Sequence, residues 1–508
     1  MIAAIWRDTL TAKVLMVQGT SSSVGKSLLV AALCRILRQD GQRVAPFKAQ
    51  NMSLNAAVTA DGGEIGRATA VQAAAAGVEP TVDMNPILLK PEAEARSQVI
   101  VLGRPAATLA ARDYYARKAA LWGVVVGALD RLRAAYDVVV IEGAGSPAEV
   151  NLRAGDIVNM RVARHAGAPV LLVGDIDRGG VFASLVGTLA LVEPDERALV
   201  KGFIINKFRG DRSLLQPGLD FLEGRTGVPV LGVIPYLPHL RIAEEDGATL
   251  GQDRAGDGPL DIAVARFPRI ANFDDFDLLA AEPAVRLRYV ERPWDLGAPD
   301  LVIVPGSKAT VADLEFLRAS GLAARIVALA RAGTPVLGIC GGYQMLGRRL
   351  SDPHGVESSV PETPGLGLLP VDTTFAAEKR TRHVQARVVA GPGLFGLLAG
   401  TTIDGYEIHM GRTTGSETPL FQIAGAGEAE HGDGCRSADG MVAGVYLHGL
   451  FEDPAARRAV IDWLAARRGL HLEAGLTPTR EDEYDRLARS VRRDLDLAAV
   501  YRLVEQGG

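Results

Sequence analysis

The sequence holds only three cysteines, Cys34, Cys340 and Cys435, far apart and without paired spacing. That excludes a disulfide framework and offers no zinc-ligand pattern; a reducing compartment follows, and the cytoplasm is the expected location. No apolar run reaches the ~20 residues that cross a bilayer. The first residues lack a basic region followed by a long apolar core and a cleavage site, so no secretory signal is expected. Aromatic residues are few, at 5%. The net charge of -5 comes without a basic stripe, so neither nucleic acid nor membrane is an expected partner. What remains is a chain of 508 residues, 48% hydrophobic and 23% charged. That is a globular composition, with length for more than one core.

Short apolar runs alternate with helical patterns through the first half. Runs at 14–19, 43–47, 137–143, 169–175, 202–208 and 228–235 have strand length, and a helix is predicted over 25–39. Continuous apolar strands between helices predict a parallel sheet covered on both faces. A second such pattern starts at 260–268, with buried strands predicted at 301–306 and 335–340. The fold class is therefore α/β, with two doubly wound domains. The divisions are 1–240, a polar Gly/Asp-rich linker at 241–258, a second domain at 259–475 and a C-terminal helical segment at 476–508. Helices are predicted near 454–468 and 481–504. The more alternating segments 383–388, 403–408 and 441–447 are expected to form an antiparallel part.

The first strand runs into Gly19–Ser27, GTSSSVGKS, and then into a helix. Backbone N–H groups in such a loop cradle phosphate, and the helix N-terminus adds to the pull on the anion. Counted from Gly19 the loop is one residue longer than G-x-x-x-x-G-K-[ST]; counted from Thr20 the spacing fits, with Thr for the first Gly. Thr20, Gly25, Lys26 and Ser27 are thus candidates for binding ATP, with Lys26 on the terminal phosphates and the Ser27 hydroxyl on Mg²⁺. Glu142, at the end of an apolar strand, is the second candidate Mg²⁺ ligand. Asn206, beyond another strand, carries an amide able to read a base edge.

A second chemistry is written in TPVLGICGGYQ, strand, sharp turn and helix, with Cys340 where a nucleophile elbow places its nucleophile. The backbone N–H of Gly341 is a candidate oxyanion donor, and so is that of Gly306 in the loop PGSK. His448, in GVYLHGLF after a late apolar strand, is the candidate base.

The pattern PGS…GICGGYQMLG…YLHG resembles the class I glutamine amidotransferase domain, and GTSSSVGKS resembles the P-loop of dethiobiotin-synthetase-like ATPases. With PFKAQNMSLN, EIGRATAVQAAAAGVEPTVDMNPILLKP, ARFPRIANFDDFDLL and GYEIHMGRT, nearly the whole chain resembles the cobyric acid synthase family. The resemblance implies four successive amidations of adenosylcobyrinic acid a,c-diamide, a corrinoid, with ATP, Mg²⁺ and glutamine. It implies that Cys340 and His448 are nucleophile and base, and that Lys48, Gln50 and Asn51 lie near the ATPase site. Class I amidotransferases often carry a Glu two residues after the His; here Leu450 stands there, so the third member of the triad is missing from its usual place. Alternative readings are a cobyrinic acid a,c-diamide synthase or a MinD/ParA-like switch ATPase.

Overall fold

The structure is a computed structural model that describes residues 11–93, 96–110, 118–238, 240–242, 256–389, 391–416, 418–424, 430–472 and 479–506. It divides into two compact units, Met1–Ser53 with Glu64–Ile242 and Thr479–Gly508, and Leu54–Gly63 with Ala243–Pro478. Most of the linker expected at 241–258 lies outside the described residues.

In the first unit six strands form a parallel sheet: β1 (Lys13–Gly19), β2 (Val44–Phe47), β3 (Val138–Glu142), β4 (Val170–Asp175), β5 (Val200–Phe208) and β6 (Val230–Pro235), in the order β6-β5-β4-β1-β3-β2. Every residue of β2, β3 and β4 is buried, as expected of strands covered on both faces. Helix α1 (Lys26–Gln39) starts where Gly25 takes φ 96°, and a Cβ there would lie 2.2 Å from Asn206 Nδ2. Only glycine meets both conditions.

Residues 479–508 belong to this unit rather than forming a segment of their own. The helix expected over 481–504 is two, α4 (Arg480–Asp494) and α5 (Leu497–Gln506). They part because Leu495 is extended and bridges to Gly232 of β6, with Asp496 N–H donating to Leu231 O at 2.7 Å. A Cβ on Gly232 would lie 2.9 Å from Asp494 O. Arg35 of α1 pairs with Asp485 at 2.7 Å, and Tyr484, Leu487, Val491, Val500 and Val504 are buried. Burial of a large apolar side chain contributes about 1.5–3 kcal/mol. Deleting 479–508 is therefore expected to lower Tm by at least ~10 °C or to yield insoluble protein. A melting curve that superposes on the full chain's would refute the docking.

The second unit has a mixed sheet of β7 (Leu260–Ala265), β9 (Val285–Val290), β10 (Leu301–Val304), β12 (Val336–Ile339), β17 (Cys435–Arg436) and β18 (Val442–Val445), ordered β9-β7-β10-β12-β18-β17. All pairs are parallel except β17 with β18. A two-residue ladder, β8 (Ile270–Ala271) with β11 (Gly306–Ser307), lies beside it in sequence. A further sheet is built on the antiparallel pair β13 (Asp372–Val388) and β14 (Thr402–Thr414), with β15 (Phe421–Ala424) and β16 (His431–Asp433). Segments 383–388 and 403–408 fall in this antiparallel part as expected, whereas 441–447 does not. Val442–Val445 is buried throughout and pairs in parallel with β12.

Candidate functional site

In the first unit β1 and β3 end side by side, with Val17 opposite Glu142. The loop 19–27 and Glu142 therefore meet at the carboxyl ends of the strands, where open α/β sheets bind ligands. Ser27 Oγ donates to Glu142 Oε1 at 2.8 Å, Lys48 Nζ to the same oxygen at 3.0 Å, and Gln72 Nε2 to Oε2 at 2.5 Å. Glu142 is 1% exposed. Burial pushes its pKa up, but Lys48, the Gln72 amide and Lys26 outweigh burial and hold it below the usual carboxylate range. Lys26 Nζ donates to Ser21 O at 2.9 Å and to Gly145 O at 3.0 Å, which lays the side chain across the loop.

Of the sequence candidates here, Lys26, Ser27, Glu142 and Lys48 come together. Thr20 does not turn its N–H into the loop; it donates to Val173 O at 2.9 Å and prolongs the β1–β4 ladder. Asn206 Nδ2 donates to Val24 O at 2.8 Å, so the amide braces the loop. Lys207, at φ 61°, reaches Ser23 O at 2.7 Å and Asp175 Oδ2 at 2.9 Å. Gln50 and Asn51 lie in the short strand Gln50–Met52, where Asn51 packs so closely on Gly66 that a Cβ there would lie 2.1 Å from Asn51 Nδ2. No sequence spacing marks Gln72. It sits in the helix α2 (Arg67–Ala76) without a motif of its own, and only its place in EIGRATAVQAAAAG marks it.

In the second unit Cys340 stands between β12 and the helix α3 (Gly341–Leu346) at φ 51° and ψ −109°. Such a backbone is costly for a residue with a Cβ and is found where a turn presents a reactive group. The elbow is tight: a Cβ on Gly342 would lie 1.8 Å from Val304 O. Ile339 pairs with Val445, and Cys340 N–H donates to Val445 O at 2.8 Å, so Cys340 and His448 leave adjacent strands together.

His448 has a carboxylate partner from elsewhere in the sequence. His448 Nδ1 lies 2.7 Å from Asp275 Oδ2, and Gly449 N–H donates to Asp275 Oδ1 at 2.9 Å. Leu450, two residues after His448, is buried core. Since a carboxylate accepts, His448 Nδ1 carries a hydrogen and Nε2 faces away. Burial pushes the His448 pKa down, but Asp275 and then the Cys340 sulfur outweigh it and hold it at about 10. Asp275 sits in the turn Phe273–Phe276, entered through Asn272 at φ 52°. Asn272 Oδ1 accepts from Ala56 N, and Asn55 Oδ1 from Phe273 N, both at 3.2 Å. Residues 54–63 thus tie down the turn that carries Asp275. Nothing in sequence spacing points to Asp275; its segment, PRIANFDDFDLL, stands out by resemblance alone.

The oxyanion candidates separate. Gly341 N–H opens α3 beside Cys340. Gly306 is the register partner of Ala271, and Lys308 N–H donates to Arg269 O at 3.0 Å. In that antiparallel ladder the Gly306 N–H points at Ala271, not into the site. The next amide faces the other way: a Cβ on Gly341 would lie 2.8 Å from Ser307 N.

Two domain families match the chain. Residues 15–250 match the CobQ/CobB/MinD/ParA nucleotide binding domain and residues 261–456 the CobB/CobQ-like glutamine amidotransferase domain. A protein described as cobyric acid synthase from Dehalococcoides mccartyi strain CBDB1 is 54% identical over 501 residues, 98% of this chain and 99% of that one. One of the same description from Sorangium cellulosum strain So ce56 is 58% identical over 515 residues, 97% of this chain and 99% of that one. The chain belongs to the cobyric acid synthase family. As a member of that family it is a glutamine-hydrolysing ligase with a nucleotide-binding domain, and the diamide-synthase and switch-ATPase readings are not favoured. Among the described residues no helix is long and apolar enough to cross a membrane.

Proposed function

We propose that this chain, acting in the cytoplasm, converts carboxylates of adenosylcobyrinic acid a,c-diamide to amides, four in succession, with one ATP and one glutamine for each. A carboxylate resists attack because oxide is its leaving group, and transfer of the ATP γ-phosphoryl group turns it into an acyl phosphate. Lys26 neutralises charge on that group, while the loop amides and Gly25 let the phosphates approach the backbone; catalysis there is positioning and electrostatics. The Ser27 hydroxyl and the ionised Glu142 carboxylate, 2.8 Å apart, form an oxygen donor pair that suits Mg²⁺. When bound there, Mg²⁺ would neutralise phosphate charge. Lys48 and Gln72 keep Glu142 ionised and oriented.

Ammonia comes from the second unit. Cys340 Sγ attacks the glutamine carboxamide carbon, His448 takes the thiol proton and delivers it to the departing nitrogen, and Asp275 fixes the tautomer and the charge of His448. The amides of Gly341 and Ser307 serve the oxyanion. Water then releases glutamate from the thioester.

The observation that carries this reading is the Cys340–His448–Asp275 arrangement, for which a nucleotide switch has no use. In Cys340→Ser, glutamine-driven amidation of the corrinoid is expected to fall by at least ~10³-fold, while amidation driven by added ammonia persists. Equal loss with both nitrogen sources would sink the division of labour. Turnover of ATP without product from this corrinoid would sink the substrate assignment.

A further inference from the structure

Two buried imidazoles of the second unit leave Nε2 without a hydrogen-bond partner among the described residues, and one of them is the base His448. The other is His409, on β14 and 8% exposed. Its Nδ1 lies 2.8 Å from Gly411 O. A carbonyl can only accept, so Nδ1 carries the hydrogen, and in the neutral ring Nε2 carries the lone pair. The ring is stacked on Tyr446, with 3.8 Å between centroids and 17° between planes. The Tyr446 hydroxyl is itself held by Gln344 Nε2 at 3.1 Å and by Thr413 Oγ1 at 2.7 Å. Stacking and the Gly411 bond together fix where Nε2 points.

Burial drives the His409 pKa down to about 4, against the pull of Glu407 and with a smaller push from the charge of His448. His409 is then neutral at pH 7, and its Nε2 is a buried acceptor with no donor among the described residues, which a ligand or a water can supply. The ring borders a cleft of about 440 Å³ whose wall also holds Tyr343, Arg380, Glu407 and Tyr446. The preceding residue, Ile408, sets its carbonyl 3.6 Å from Cys340 Sγ, so the strand that bears His409 passes the nucleophile itself.

The donor that arrives beside Cys340 is the carboxamide nitrogen of glutamine, with two hydrogens before cleavage and three after. We propose that His409 Nε2 accepts a hydrogen bond from that nitrogen and holds it as it leaves as ammonia. The inference rests on the reading of Cys340 as the glutaminase nucleophile. In the step, the bond from Sγ to the carboxamide carbon forms and the carbon–nitrogen bond breaks. The proton first taken from the thiol passes from His448 Nε2 to the nitrogen, giving a γ-glutamyl thioester and NH₃. His409 exchanges no proton. One ring donates and the other accepts, and their environments are driven apart in the sense that separates such roles. A protonated His409 would meet the ammonia lone pair with a hydrogen and withdraw the nucleophile needed for amide formation.

The test compares His409→Asn, whose amide can still donate to Gly411 O but has no acceptor at the Nε2 position, with His409→Gln, which restores one there. Single-turnover release of ammonia from glutamine is expected to slow on the order of 10- to 100-fold in His409→Asn and to recover largely in His409→Gln. Alkylation of Cys340 by a chloroketone analogue of glutamine breaks no carbon–nitrogen bond and should stay within about twofold of wild type in both. Ammonia-driven amidation should not change. A His409→Asn enzyme that releases ammonia at the wild-type rate, or that loses alkylation in parallel with turnover, overturns the assignment. A Cys340→Ser enzyme that still uses glutamine removes the underlying reading instead, whatever His409 does.

Discussion

Asp275→Asn is expected to cut glutamine-driven amidation by about 10²- to 10⁴-fold while leaving ammonia-driven amidation in place. The Asn side chain still fits between His448 Nδ1 and Gly449 N–H, but it brings no charge and can present its amide hydrogens to the ring. In the wild type the Asp275 carboxylate is foremost in holding His448 at about 10, against the burial that opposes it. Without it, burial prevails and the imidazolium is lost at lower pH. The sign for activity follows. His448 keeps its proton through the neutral range in the wild type, ready to pass to the departing nitrogen, and loses it as pH rises through about 10; in Asp275→Asn the loss comes earlier.

Stability follows the same proton. His448 has a folded pKa of about 10 against an ordinary 6.5, so its contribution is complete below pH 6.5 and is lost as pH rises through 10. The variant should melt with less pH dependence over that window. The rate of Cys340 alkylation against pH, with melts at matched pH, measures both. An unchanged alkylation profile in Asp275→Asn would mean that the carboxylate only fills space.

The second large effect is expected at Glu142. Glu142→Gln should abolish amidation from either nitrogen source, by at least ~10³-fold, because the carboxylate proposed to serve phosphoryl transfer is gone. It should also destabilise the first unit. Lys48, 4% exposed at its side chain, would lose its buried ion pair with Glu142, a change that costs about 3–5 kcal/mol. Adding Lys48→Gln to Glu142→Gln should recover much of that stability and none of the activity. Melting curves and ammonia-driven turnover separate the two consequences. If the double variant stays as unstable as the single one, the Lys48–Glu142 pair is not the source of the loss. If Glu142→Gln still amidates with ammonia, phosphoryl transfer takes place elsewhere.

By itself the sequence determined the fold class, the two nucleophile-and-phosphate motifs and the family. Continuous apolar strands can be read directly, since burial on both faces leaves no room for polar alternation. GICGGYQ and SVGKS are equally legible, because a sharp turn and a phosphate cradle impose small residues at fixed offsets. Asp275, Gln72 and the Ser307 amide were beyond its reach. Asp275 and His448 are joined across 173 positions by a hydrogen bond, and Gln72 and Glu142 across 70. A contact of that kind has no period and no spacing; it exists only once strands from distant parts of the chain pair and end at one place. The same holds at Thr20, Gly306 and Leu495, whose N–H groups or backbone pair with a neighbouring strand. Local chemistry fixed which side chains were able to react, and strand pairing decided which of them meet.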